Sequence, residues 1–207
     1  MTIRYRLVSL WVRNPSATRE TILKKSGVLF NTQGYKATSI SHITDATGFT
    51  KGAIYRHFSN KDALELETLT HLSSMLFDKL KAAIKTEKTA YDKLIAILRF
   101  FESYATDPPL KGGCPLLNAA IEADDAHPGL RKGAQKTLSI LRQSIINILQ
   151  NGIDYKQIKP GIDKGFYSSL IIATLEGGIM MSRLEGNNED IRMAIKHLKL
   201  QLDQIML

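Results

Sequence analysis

The chain has 207 residues, 43% hydrophobic and 23% charged, which is enough for one large or two small globular domains with a real core. Its single cysteine, Cys114, excludes an internal disulfide framework and makes a reducing cytoplasm the simplest setting. The net charge of +8 lies entirely in residues 1–61, with ten Lys/Arg and two acids, whereas the other 146 residues hold eighteen of each. A basic head on a neutral body is the charge pattern of a polyanion-binding protein; a basic surface of no special function is the competing reading.

At the N-terminus, Arg4 and Arg6 precede the apolar run Leu7–Val12, which Arg13 ends. The run is too short for a secretory core and no small-residue cleavage site follows. Residues 1–17 are therefore expected to be an arm, with Arg4, Arg6 and Arg13 reaching a minor groove, or else a docked or dispensable leader. A first helix is expected over Thr18–Gln33, with Ile22, Ser26, Leu29 and Phe30 on one face and Gly34 as its stop. Thr38 is the expected N-cap of a short helix carrying Ile40 and Ile43 that ends at Gly48. Thr50 caps a second short helix reaching Phe58, and Ser59 with Asp62 starts a long fourth helix through Leu64, Leu69, Leu72, Leu76 and Leu80.

Further helices are expected near Ala90–Thr106, from Pro115, over Leu130–Asn151, and over residues 162–185 and 189–206, broken by Asp107-Pro108-Pro109, Gly112-Gly113, His127-Pro128-Gly129 and Lys159-Pro160-Gly161. No segment is left for strands. The fold class is all-α with about nine helices. The longest apolar stretch, Phe166–Met181, contains Glu176 and is too short and too polar to span a bilayer.

Two short helices around Gly48-Phe49-Thr50 have the lengths of a helix-turn-helix, whose second helix enters the major groove. Ile54 and Phe58, four apart, face inward and leave Tyr55, Arg56 and His57 on other sides. The chain here resembles the TetR/AcrR family of regulators. The resemblance rests on Thr18-Arg19-Glu20, Ile22-Leu23, Leu29-Phe30, Gly34-Tyr35, Thr38-Ser39-Ile40, Ile43, Ala46, Gly48 through Tyr55, His57-Phe58 and Lys61-Asp62-Ala63-Leu64. Thr44 and Thr47 stand where alanine is usual in the family, and Phe49 where valine is, which bears on local packing only.

The resemblance implies an N-terminal DNA-binding domain over 18–64 and a ligand-binding and dimerisation domain over 65–207. It implies phosphate contacts by Thr38, Ser39, Thr50, Lys51, His57 and Lys61, and positions nearest the bases for Gly52, Ala53, Tyr55 and Arg56. Arg56 is the side chain best suited to bidentate reading of guanine. The plainer alternative for Tyr55 and His57 is packing within the small domain.

The resemblance also implies a homodimer formed through the last two helices. Independently, Ala173, Thr174, Gly177, Gly178 and Ser182 place small residues at helical spacing, and adjacent glycines cost about 1 kcal/mol each unless close helix packing compensates. Ile191, Ile195, Leu198 and Leu202 supply an apolar stripe for the partner helix, with an intrachain contact as the alternative. For a small apolar or amphipathic effector, Phe100, Phe101, Tyr104, Leu117, Asn118, Ile121, Phe166, Leu170 and Met181 are candidate lining residues, plain core being the alternative. Cys114, before Pro115 at a helix start, is a candidate ligand contact and a candidate thiolate sensor of oxidants or electrophiles, against the plainer reading of a small buried residue.

No cofactor is implied. Asp124, Asp125 and His127 are read as a loop, with no metal. An enzyme is disfavoured because the five histidines are dispersed and no nucleophile–base, paired-carboxylate or phosphate-loop arrangement exists. The leading reading is a repressor released from a palindromic operator by a small ligand; a Cys114-triggered repressor and a non-specific DNA-binding protein are the alternatives.

Overall fold

A computed structural model describes residues 14–104, 107–123 and 127–207. Among them are nine helices and no strand, only an isolated bridge between Ile158 and Met206. The arm residues Arg4, Arg6 and Arg13, and the loop acids Asp124 and Asp125, lie outside the described residues.

Helix α1 spans Pro15–Gln33, starting ahead of the expected Thr18. Asn14 accepts hydrogen bonds from the Ser16 and Ala17 amides, and Pro15 loses nothing at a position whose N–H would be unpaired. Residues 15–17, assigned to the arm, are thus helical. Helix α2, Ile40–Thr47, is capped by Ser39 rather than Thr38, and His42 completes a reciprocal capping box. Gly48, at φ +73°, ends α2, and Thr50 caps α3, Lys51–Tyr55. Helix α4, Lys61–Ile84, is capped by Asn60 rather than Ser59. Helix α5 spans Ala90–Glu102, short of the expected Thr106; α6 spans Pro115–Ala123 and α7 spans Pro128–Asp154. Helices α8, Lys164–Glu185, and α9, Glu189–Asp203, close the chain. His127, read as part of a break, caps α7, its Nδ1 accepting from the Leu130 amide.

The first three helices share a small core of Ile22, Phe30, Tyr35, Ile43, Ile54 and Phe58, in which the Phe30 and Tyr35 rings stack at 4.9 Å. Each fully buried side chain of this kind contributes about 1.5–3 kcal/mol, enough to fix α3 on a unit this small. The larger C-terminal part packs α4, α5, α7, α8 and α9 around the rest of one hydrophobic core that is continuous with that of the head.

Two connections join head and body. One is α4 itself. The other is a polar joint between α6 and the end of α1. Asn31 donates from Nδ2 to the carbonyls of Lys111 and Gly113, at 2.8 and 2.9 Å, and Asn118 Nδ2 lies 2.9 Å from Asn31 Oδ1. The Glu122 carboxylate accepts from the Tyr35 and Lys36 amides, both at 3.0 Å. Glycine is required at Gly112: its φ is +98°, and a Cβ there would lie 2.2 Å from the Asn31 carbonyl oxygen.

Candidate nucleic-acid interface and effector cavity

Caps determine what the head displays. Ser39 and Thr50 accept amide hydrogens through their hydroxyl oxygens, from His42 and Ala53, leaving each hydroxyl hydrogen free to donate outward. Ile54 anchors α3 from below, so Lys51, Gly52, Tyr55 and Arg56 lie exposed, with Ala53 and His57 half-buried beside them. The Lys51 ammonium lies 5.9 Å from the Tyr55 ring centroid, and His57 lies 6.4 Å from Phe58, centroid to centroid. Nothing within 4 Å would meet a Cβ at Gly52, so this face is open to a duplex backbone.

Thr38 is corrected. It is fully buried and donates its hydroxyl to the Gly34 carbonyl at 2.6 Å, holding the α1–α2 turn rather than facing a phosphate. Lys61 is half-buried and committed inward, donating to the Tyr35 carbonyl at 2.9 Å and pairing with Glu65 at 3.0 Å.

In the body, a tight seam among α5, α7 and α8 is lined by Ile97, Phe101, Leu141, Ile145, Leu175 and Glu176 and leaves no space for a water molecule. Of the candidate ligand residues, Phe101 lines it, and Tyr104 and Cys114 adjoin it through Glu176. The others are placed elsewhere. Ile121 (68% exposed), Phe166 and Met181 face solvent, because the helix faces that carry them turn away from the core. Asn118 is spent on the joint, while Phe100, Leu117 and Leu170 are half-buried against the core and outside the lining. An open groove of about 170 Å³ between α6 and α7 is lined by Leu116, Ala120, Ala123, Ala134 and Leu138, with Arg131 and Gln135 exposed along it.

Cys114 is also corrected as a thiolate. The Leu116 and Leu117 amides do favour its charged form, but burial first and Glu176 second push the thiol well above its ordinary value. It donates to Glu176 Oε1 at 3.0 Å. Burial pushes the Glu176 carboxyl up to about 6. Sequence reasoning met Glu176 only as an interruption in an apolar run, although that charge in that place was the available signal.

Residues 22–68 match the family described as bacterial regulatory proteins, tetR family, and residues 90–198 match the tetracyclin repressor-like C-terminal domain. A TetR transcriptional regulator from Chloroflexus aurantiacus J-10-fl superposes with a TM-score of 0.89 at 37% identity, covering 94% of this chain and 98% of that one. A TetR-family regulator from Cytophaga hutchinsonii gives 0.87 at 30% identity, covering 93% and 96%. The transcriptional repressor KstR2 of Mycolicibacterium smegmatis is 25% identical over 162 residues, 72% of this chain and 71% of its own. The chain belongs to the TetR family. It is a DNA-binding transcriptional regulator, not an enzyme. Regulators of the TetR family bind DNA operators and small-molecule effectors, and form dimers.

For this TetR-family chain, the residues expected to pair with a second copy divide by face. Gly178, Ser182, Ile191, Ile195, Leu198 and Leu202 are buried within the one chain, where α8 packs on α9, and cannot reach a partner. A Cβ at Gly178 would lie 3.0 Å from Ala194 Cβ, whereas one at Gly177 would meet nothing within 4 Å. Ala173 is exposed, and Thr174 and Gly177 are half-buried. On the outward side Phe166, Met180 and Leu184 of α8 and Met193 and Leu200 of α9 are exposed, Leu184 by 81%. Six of the nine residues expected at the dimer interface thus make the intrachain contact that was the alternative reading.

Asp62, Glu65 and His127 bring three possible ligand atoms within 4.8 Å of one another. Asp62 is exposed, and the other two are already engaged. His127 Nδ1 accepts the Leu130 amide, which leaves the neutral ring's proton on Nε2, 2.5 Å from Glu65 Oε2, and Lys61 occupies Glu65 Oε1. A cation here would have to break the α7 cap and displace an ammonium. No helix among the described residues is long and apolar enough to cross a membrane.

Proposed function

We propose that the protein is a cytoplasmic homodimeric repressor that holds a palindromic operator when empty and leaves it when a small apolar or amphipathic effector enters the helical body. The proposed division is a DNA-binding domain to about residue 64 and an effector and dimerisation domain beyond it. The observation that carries the reading is the capped, exposed α3 in a chain whose net charge of +8 lies within residues 1–61. Ser39, Thr50, Lys51 and His57 serve as phosphate contacts, Gly52, Ala53, Tyr55 and Arg56 lie against the bases, and Lys61 positions the head from within. The dimer forms through the outward apolar face of α8 and α9, including Ala173 and Gly177.

The proposed route from body to operator runs through α6. Cys114, bonded to Glu176 of α8, stands immediately before α6, and α6 carries Asn118 and Glu122 of the joint. An effector that shifts the start of α6 pulls on the end of α1. Half-sites on one duplex face repeat about every 34–36 Å, so a small rotation of the heads spoils their register. Footprinting on the DNA flanking its own gene tests the reading. A protected site bound about 10³-fold more tightly than random sequence at physiological salt is expected, and equal affinity for all DNA would leave a non-specific binder instead.

A further inference from the structure

Helix α6 presents two stripes. Asn118 and Glu122, four apart, turn to the head and hold the end of α1 and the turn after it. Leu116, Ala120 and Ala123, at i, i+4 and i+7, turn to α7, where Ala134 and Leu138 complete the open groove of about 170 Å³. Three of these five apolar residues are alanines, so the two helices meet through small side chains and leave the space unfilled. Apolar cavities of about 150 Å³ accept a benzene ring. Among the lining residues one is charged, Arg131, with the Gln135 amide four residues on. The Arg131 guanidinium is exposed and enters none of the ion pairs among the described residues. Between Pro128 and Leu138, α7 carries Arg131, Lys132 and Lys136 and no acid. The acid of α6, Glu122, is turned away, its two oxygens accepting from the Tyr35 and Lys36 amides. The groove therefore combines an apolar floor with one uncommitted planar cation.

We propose that this groove takes a small apolar carboxylic acid as its anion, the carboxylate on the Arg131 guanidinium and the ring or chain against Leu116, Ala120, Ala134 and Leu138. The assignment rests on the effector reading of the body and gives that reading a place and a ligand class. The guanidinium fork matches the two oxygens of a carboxylate, and the Gln135 amide can donate beside it. A cation would meet repulsion from Arg131, Lys132 and Lys136, and a neutral molecule would gain only the apolar floor. An exposed ion pair alone contributes little, so the apolar part supplies most of the affinity and the carboxylate decides the choice. Occupancy has a short path to the head. A ring wedged between Ala120 and Ala134 moves α6 off α7, and the other stripe of α6 carries Asn118 and Glu122, so the end of α1 moves with it.

Three probes of matched shape test the class on the full chain at pH 7.5: phenylpropionate, phenylpropanol and phenylpropylamine. Calorimetry and thermal shift are expected to show the acid binding about fivefold more tightly than the alcohol, with the amine weakest. In Arg131→Gln the acid should fall to the alcohol's affinity, while alcohol binding and the circular dichroism spectrum are kept. Ala120→Phe, a substitution at an exposed position that fills the groove, should lose all three probes with the spectrum unchanged. In the wild type, operator affinity should fall as the acid saturates. Equal binding of acid and alcohol, the result expected if Asp124 and Asp125 neutralise Arg131, would overturn the assignment. So would an acid preference that survives Arg131→Gln, binding that survives Ala120→Phe, acid binding that leaves operator affinity unchanged, or no binding of any probe. Operator binding by the ligand-free protein is measured in parallel. Its absence would defeat the regulator reading, whereas intact operator binding with no acid preference defeats only this site.

Discussion

The head and the body are built from the same kind of helix, yet their interiors differ. In the head, Ile22, Ile43 and Ile54 are fully buried, and the ammonium turned inward, that of Lys61, is held by the Tyr35 carbonyl and Glu65. In the body, an equally apolar interior encloses Glu176, Tyr104 and Cys114, with the Cys114 thiol donating to the carboxylate and the Glu176 carboxyl raised to about 6 by burial. A DNA reader needs one rigid shape. An effector domain needs a second shape within reach, and a titratable group in its interior is one that a ligand can reorganise.

The sharpest break of this contrast is Ile54→Ala. It removes the fully buried anchor of α3, and is expected to cost about 2–5 kcal/mol in urea denaturation, with operator binding lost. A loss below 1 kcal/mol would mean that Ile54 is not what holds α3 in place.

Next in size are the two outward cations of α3. Arg56→Ala should change base preference at one position of each half-site by about 1–3 kcal/mol, read by competition among operator variants. Lys51→Ala should weaken binding to every sequence alike and reduce the salt slope by about one. If both substitutions acted uniformly, α3 would be holding the backbone and reading nothing.

Much of the head was legible because caps and glycine stops are local. Gly34, Gly48 and Thr50 do what their residue types imply. The cap at Ser39 was misread as Thr38 because adjacent hydroxyls are equivalent on paper, and only burial separates the one that holds the turn from the one that starts the helix. The body was less legible for a physical reason. Helix α9 carries an Ile191-Ile195-Leu198-Leu202 stripe and, on its other side, Met193 and Leu200, and periodicity cannot say which stripe meets its own chain. The joint formed by Asn31, Asn118 and Glu122 spans more than eighty residues of sequence, so no window shows it.

Glu176→Gln sharpens the contrast from the body's side. The folded-state carboxyl, raised to about 6 from an ordinary 4.5, binds its proton more tightly than in the unfolded chain. Its contribution to stability is therefore fully present below pH 4.5 and lost as pH rises through about 6. Removing the charge should stabilise the protein by up to about 2 kcal/mol at pH 8 and by almost nothing at pH 4. A pH-independent difference in urea midpoints would place the cost in packing instead.

The smallest effects lie at two adjacent glycines. Alanine is better than glycine in a helix by about 1 kcal/mol, so each substitution begins with that gain. At Gly178 the gain is overridden, because the new methyl would lie 3.0 Å from Ala194 Cβ and 3.1 Å from the Ile191 Cα, and overpacking of this kind costs about 1–3 kcal/mol. Gly178→Ala should therefore destabilise at every protein concentration. At Gly177 nothing within the chain opposes the methyl, so Gly177→Ala should raise the melting temperature of dilute protein. On the proposed dimer face the same methyl enters a helix–helix contact, so the gain should shrink or reverse as concentration rises and the dimer forms. Melting followed across a hundredfold range of concentration separates the two behaviours, and a constant gain for Gly177→Ala would remove this side of α8 from the dimer.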